Sequence, residues 1–236
     1  MPFDKKTFTI RATTAVIFVL VMLAGLFWNG WSYLVLLAII HFGCWVEFIP
    51  LLKKIKPGKW KSLAFTGLLY ITLPVFLLIV YAFPSITNGG GIESVTQAGN
   101  YLPLIPCAII FSLWINDTMA YIVGSLIGKT PLSSISPKKT WEGTIGGAVL
   151  CVGMITLVGT YSKWLRPLDW LVISLCCAVF GTLGDLLESK LKRMAGVKDS
   201  GHIMPGHGGF LDRFDSLLIA VLPVSLYLIG RVVWTS

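Results

Sequence analysis

Seven apolar runs of membrane-spanning length divide the chain, at about 12–28, 31–52, 62–83, 101–127, 143–161, 168–188 and 216–234. Some 20 consecutive apolar residues cross the hydrocarbon of a bilayer as a helix, and in lipid the backbone is satisfied only inside helices or closed barrels. The expected fold is therefore all-α, a polytopic membrane helix bundle with about seven transmembrane helices. Only 13% of the 236 residues are charged, about half the share of a soluble domain. Arg11 opens the first run and no A-x-A-like cleavage site follows, so this run is expected to remain as an anchor. No period repeats and no loop is long enough for a soluble domain. One integral membrane domain is expected over 1–236, with N-terminal helices in 1–100 and the functional helices and loops in 101–236.

The net charge is +8, but its distribution argues for a membrane rather than nucleic acid. With the N-terminus placed in the cytoplasm, sixteen of the nineteen basic residues fall on the inner side, leaving Lys163, Arg166 and Arg231 outside. The expected location is a cell membrane of the bacterial inner-membrane kind, spanned many times. The five cysteines (Cys44, Cys107, Cys151, Cys176, Cys177) all lie in apolar segments without metal spacing and read as small hydrophobes. Asn88-Gly89-Gly90-Gly91 lacks the lysine and hydroxyl of a P-loop and is placed outside, so 84–100 reads as a linker. Pro74 is expected to kink the third span. His41 reads as a packed residue. Glu47, at the inner end of the second span, either reaches the headgroup layer or assists the site.

Against this background Ser189 to Asp215, SKLKRMAGVKDSGHIMPGHGGFLDRFD, stands out. It gathers Lys190, Lys192, Arg193, Lys198 and Arg213 with Asp199, Asp212 and Asp215 in one connector. The glycines around His207 let backbone N–H groups approach a ligand closely. Asp212 and Asp215, three apart, share a face if a helix begins there.

A second informative stretch runs from Asn116 to Gly143. On a helix Asp117, Tyr121, Gly124 and Gly128 share a face, whose glycines admit another helix or a ligand. Asp117 is either a functional acid or a hydrogen-bonded register pin. Ser136-Pro137-Lys138-Lys139-Thr140 precedes a helix expected to start near Thr140, with N–H groups open to an anion. Glu142 alternatively caps that helix from Lys139 or Thr140. Asp185 and Glu188 sit three apart just before the basic connector. Seven of the eleven carboxylates (Asp117, Glu142, Asp185, Glu188, Asp199, Asp212, Asp215) are thus expected at the inner ends of spans four to seven. Such acids repel unless a cation sits among them; hard oxygen ligands suit Mg²⁺, and no His/Cys set has zinc spacing.

The connector resembles the signature of the phosphatidate cytidylyltransferase (CDP-diacylglycerol synthase) family. That pattern runs Ser-x-apolar-Lys-Arg, Lys-Asp-x-small, then Pro-x-His-Gly-Gly-apolar-x-Asp-Arg-apolar-Asp, and every fixed position is filled, with Met204 as a neutral variation. The Asp117-x-x-Ala120-Tyr121 helix and the Ser136-Pro137-Lys138-Lys139-Thr140-x-Glu142-Gly143 loop resemble the same family. The resemblance covers Asp117 to Asp215. It implies transfer of CMP from CTP to phosphatidate, giving CDP-diacylglycerol and pyrophosphate, with an active site at the cytoplasmic ends of the C-terminal helices. Asp185, Asp212 and Asp215 are then metal ligands for one or two Mg²⁺, with a monovalent ion as an alternative second metal.

Lys192, Arg193, Lys198, Asp199 and Arg213 are the expected catalytic residues. Asp117, Tyr121, Ser136, Lys138, Lys139, His207, Gly208 and Gly209 are the expected substrate-binding residues. The partners implied are CTP, phosphatidate and the lipid bilayer, with self-association into a homodimer left open. No serine or cysteine nucleophile with a partnered base is apparent, so direct displacement is expected. A CTP-dependent kinase of a polyprenol-type lipid alcohol and an ion-coupled transporter are the competing classes.

Overall fold

The computed structural model describes residues 5–83, 101–203 and 208–235, and these form seven helices. They are α1 (Lys5–Phe27), α2 (Gly30–Ile55), α3 (Trp60–Ala82), α4 (Leu104–Ile127), α5 (Trp141–Ser162), α6 (Pro167–Met194) and α7 (Leu211–Thr235). Six are long and apolar enough to cross a membrane: α2 to α6, and α7 over Leu211–Arg231. The first expected span lies in α1, whose described apolar part is Ala12–Phe27. Large apolar side chains lie exposed along the helices, among them Phe42, Val46, Leu69, Val149, Leu157 and Leu226, a surface suited to lipid. The linker assigned to 84–100 lies outside the described residues.

The described chain divides into two compact units, Met1–Pro103 with Leu191–Phe214, and Leu104–Lys190 with Asp215–Ser236. In the first, α1 and α2 are joined by the expected tight turn. Asn29 caps α2 by accepting from the Ser32 amide at 2.8 Å, while Ser32 Oγ accepts from the Asn29 amide at 3.1 Å. Tyr33 donates to the Leu78 carbonyl at 2.9 Å, pinning α2 to α3. The irregularity expected at Pro74 appears just before it, as a π-helical turn over Leu68–Thr72. Proline offers no N–H to the preceding turn, and a widened turn takes up the mismatch. His41 is packed as expected, its Nε2 lying 3.0 Å from Thr72 Oγ1 and accepting from Trp45 Nε1 at 3.1 Å.

In the second unit α4 and α5 meet at backbone distance. A β-carbon on Gly147 would lie 2.6 Å from the Ala120 nitrogen, and one on Gly143 would lie 2.7 Å from the Ala120 carbonyl oxygen. The four-residue spacing of Ala120, Gly124 and Gly128 faces that of Gly143 and Gly147, the small-residue seam by which helices associate in lipid. The glycines of α4 thus admit a helix. At the far end of α6, buried Asp169 accepts from the Arg166 amide (3.0 Å) and from Tyr227 Oη (2.7 Å), and pairs with Arg231 at 2.8 Å. This clamps the start of α6 to the end of α7.

Candidate functional site

In the second unit α6 carries Asp185 and Glu188 one turn apart. Gly184, beside them, lets α7 in so closely that a β-carbon there would lie 2.6 Å from the Asp215 carbonyl oxygen and 3.0 Å from Ser216 Cα. Asp215, in the first turns of α7, is thereby brought to the α6 acids. One carboxylate oxygen from each of Asp185, Glu188 and Asp215 lies within 4.8 Å of the others. Glu188 and Asp215 are buried and Asp185 is half-buried. Asp215 also accepts from the Ser216 amide at 2.5 Å.

Lys139 brings a positive charge to the cluster. The 128–141 connector folds back on itself through Trp141 N–H to Thr130 O at 2.9 Å and Leu132 N–H to Lys139 O at 2.8 Å. This directs the Lys139 ammonium to Asp185, with which it forms an ion pair. Lys139 and Asp117 are both close enough to Asp215 to act on it electrostatically. Three converging carboxylates with one ammonium leave an excess of negative charge, which a hard divalent cation would offset.

Thr140 caps α5, accepting from the Gly143 amide at 3.1 Å. Glu142 departs from the capping role considered for it. Its carboxylate reaches out of the helix to the amides of Lys129 and Thr130, at 3.2 Å, and to Thr130 Oγ1 at 2.8 Å. Glu142 therefore ties the connector's beginning to its end and holds Lys139 in place.

In the first unit the basic connector is fastened by two acids. Asp212 accepts from Lys192 Nζ at 2.6 Å, the Ser200 amide at 3.0 Å and the Gly209 amide at 2.8 Å. Glu47, 4% exposed, accepts from Ser200 Oγ at 2.7 Å and from the Phe210 and Leu211 amides, each at 2.9 Å. Gly208 (φ +81°) sits against Asp212, where a β-carbon would lie 2.5 Å from Oδ2, and Gly209 sits against Glu47. Both glycines make room for the protein's own carboxylates, and the Gly209 amide is spent on Asp212.

The candidate residues thus fall into two sets. The second unit holds Asp117, Tyr121, Ser136, Lys138, Lys139, Asp185 and Asp215; the first holds Lys192, Arg193, Lys198, Asp199, Gly208, Gly209, Asp212 and Arg213. Arg193, Lys198, Asp199, Arg213, Lys138 and Asp117 are exposed, Ser136 is half-buried, and Tyr121 is 77% exposed. His207 lies outside the described residues. Two site residues stand outside the expected metal, catalytic and substrate-binding sets, although Glu188 is among the acids expected to gather around a cation and Glu47 is expected either to reach the headgroup layer or to assist the site. Glu188 completes the acid cluster, and its three-residue spacing from Asp185 was the available signal. Glu47 fastens the connector from a helix 153 residues before Ser200, where no local pattern reveals it.

Comparison with known proteins gives one consistent picture. The sequence profile of the cytidylyltransferase family matches residues 61–230. A phosphatidate cytidylyltransferase of Staphylococcus aureus is 38% identical over 196 residues, 78% of this chain and 71% of that protein. One from Bacillus subtilis is 44% identical over 141 residues, 59% of this chain and 51% of that protein. The chloroplastic phosphatidate cytidylyltransferase 4 of Arabidopsis thaliana is 49% identical over 124 residues, 52% of this chain and 32% of that protein. The chain thus spans about half or less of the length of the last two relatives.

Proposed function

The chain belongs to the cytidylyltransferase family, and we propose that it transfers CMP from CTP to phosphatidate, releasing CDP-diacylglycerol and pyrophosphate. The observation that carries this reading is the convergence of Asp185, Glu188 and Asp215 beside Lys139. In the reaction a phosphate oxygen of phosphatidate forms a bond to the α-phosphorus of CTP. The bond from that phosphorus to the bridging oxygen breaks, and its electron pair leaves with pyrophosphate. Phosphatidate, with a second pKa of about 6, is mostly ionised near neutral pH and needs no general base. The barrier lies in bringing one polyanion onto another, so charge compensation and alignment do the catalytic work.

The buried acid cluster fits a Mg²⁺ ion, which supplies charge neutralisation at the transferred and leaving phosphates. Asp185, Glu188 and Asp215 would hold it. Asp212 is assigned as a further ligand from the signature alone; its Oδ1 accepts from Lys192. Lys138, with Lys139, offsets substrate charge at the start of α5. Lys192, Arg193, Lys198 and Arg213 do so along the basic connector, Asp199 orients Lys198, and His207 donates to a phosphate oxygen. The reaction takes place at the cytoplasmic face of the membrane that the helices span.

Purified protein in phosphatidate-containing vesicles, given CTP labelled at the α- or the γ-phosphorus, tests this. Cytidylyl transfer places α-label in the lipid fraction and γ-label in pyrophosphate. Label from the γ position in the lipid, with a lipid alcohol as acceptor, would establish a kinase instead. No label in lipid from either position would rule out both.

A further inference from the structure

Glu47 belongs to no motif singled out in the sequence and lies before the family match at 61–230. Yet it accepts three hydrogen bonds from the basic connector, as many as Asp212 accepts within it. Its two oxygens accept from Ser200 Oγ, Phe210 N–H and Leu211 N–H at 2.7–2.9 Å. Gly201 and Gly209 both lie so close to its carboxylate that a β-carbon on either would collide with it. Gly43, one turn earlier on α2, receives the Phe210 ring, where a β-carbon would lie 2.5 Å from Cγ. An acid, three glycines and a ring therefore build one socket.

The Phe210 and Leu211 amides are among the unpaired donors at the start of α7, the place where a helix attracts an anion. Here the anion is internal. Glu47 accepts from both amides, so these two donors are not open to a substrate phosphate. We propose that Glu47 is a positioning residue for the transfer reaction. By anchoring Ser200 midway along the connector and the first turn of α7 at its end, it sets where Lys198 and Arg213 stand to receive the triphosphate. This rests on the function proposed above.

The test is steady-state kinetics on the full-length protein in vesicles, comparing native, Glu47→Gln and Ser200→Ala with rates normalised to folded protein. Glutamine keeps the shape but, in either orientation, turns its NH₂ group toward one of the two amides, which requires an acceptor. The inference predicts that Glu47→Gln raises the KM for CTP about tenfold or more and leaves the KM for phosphatidate within twofold. Ser200→Ala, which removes one bond only, shifts the same constant by a few fold, and the double variant is no worse than Glu47→Gln alone. Lower thermal stability with an unchanged CTP KM in the folded fraction would make Glu47 purely structural and overturn the inference. If Glu47→Gln fails to fold, Ser200→Ala with a native CTP KM overturns it equally. Absence of turnover in the native protein would reject the function itself, and this inference with it.

Discussion

Gly184 packs against the backbone of Asp215 so tightly that a single β-carbon at position 184 would stand 2.6 Å from the Asp215 carbonyl oxygen. The geometry of the acid cluster thus depends on the absence of a side chain. Gly184→Ala should push α7 away from α6 and cost about 1–3 kcal/mol. It should also weaken Mg²⁺-dependent activity at least tenfold, with partial recovery at higher Mg²⁺. Gly153→Ala, where nothing lies within 4 Å, should leave both unchanged. Thermal unfolding and a Mg²⁺ titration of each variant check this.

Glu188 should matter as much as Asp185. Each supplies one oxygen to the cluster, and losing a metal ligand removes several kcal/mol of charge stabilisation, roughly 100-fold or more in rate. Glu188→Gln and Asp185→Asn should therefore both fall to about 1% of native turnover or below, as measured by pyrophosphate release.

Lys139 pairs with the Asp185 carboxylate, for which a metal ion held by the cluster would compete. Lys139→Ala should lower turnover while reducing the Mg²⁺ concentration for half-maximal binding about fivefold, since the competing ammonium is gone. Lys138, exposed beside it, should show no such gain in Mg²⁺ affinity when replaced by alanine. Mg²⁺-induced thermal stabilisation of the two variants separates the cases.

Asp169 holds Tyr227, Arg231 and the Arg166 amide at the end of α6 remote in sequence from Asp185. Asp169→Asn should cost about 1.5–3 kcal/mol and leave the kinetic constants of the folded protein within twofold. A loss of kcat/KM without a loss of stability would contradict that structural role.

The periodicity of apolar runs located the helices, because a chain in lipid must hide its backbone in them. The first run, expected at about 12–28, coincides with the apolar part of α1, Ala12–Phe27. Asp185, Asp215 and Lys139 were legible as motif members, and the structure brings these three together. The partners of Glu142 were not, since an acid in a first helical turn fits a capping box equally well, and only the fold of the 128–141 connector sends it to Thr130. Gly208 and Gly209 were legible as sites of close approach, but what approaches, Asp212 and Glu47, is a tertiary fact. Glu47 is the clearest case: its partners lie more than 150 residues away, beyond any spacing rule.

Cytidylyl transfer should depend on the Asp185, Glu188 and Asp215 cluster. Its most direct test is incorporation of α-labelled CTP into a lipid-extractable product with phosphatidate and Mg²⁺, using native protein, Asp215→Asn and Glu188→Gln, each verified as folded. The account predicts labelled CDP-diacylglycerol from the native protein and about 1% of that rate or less from either variant. Native-like incorporation by a folded Asp215→Asn or Glu188→Gln protein would contradict it.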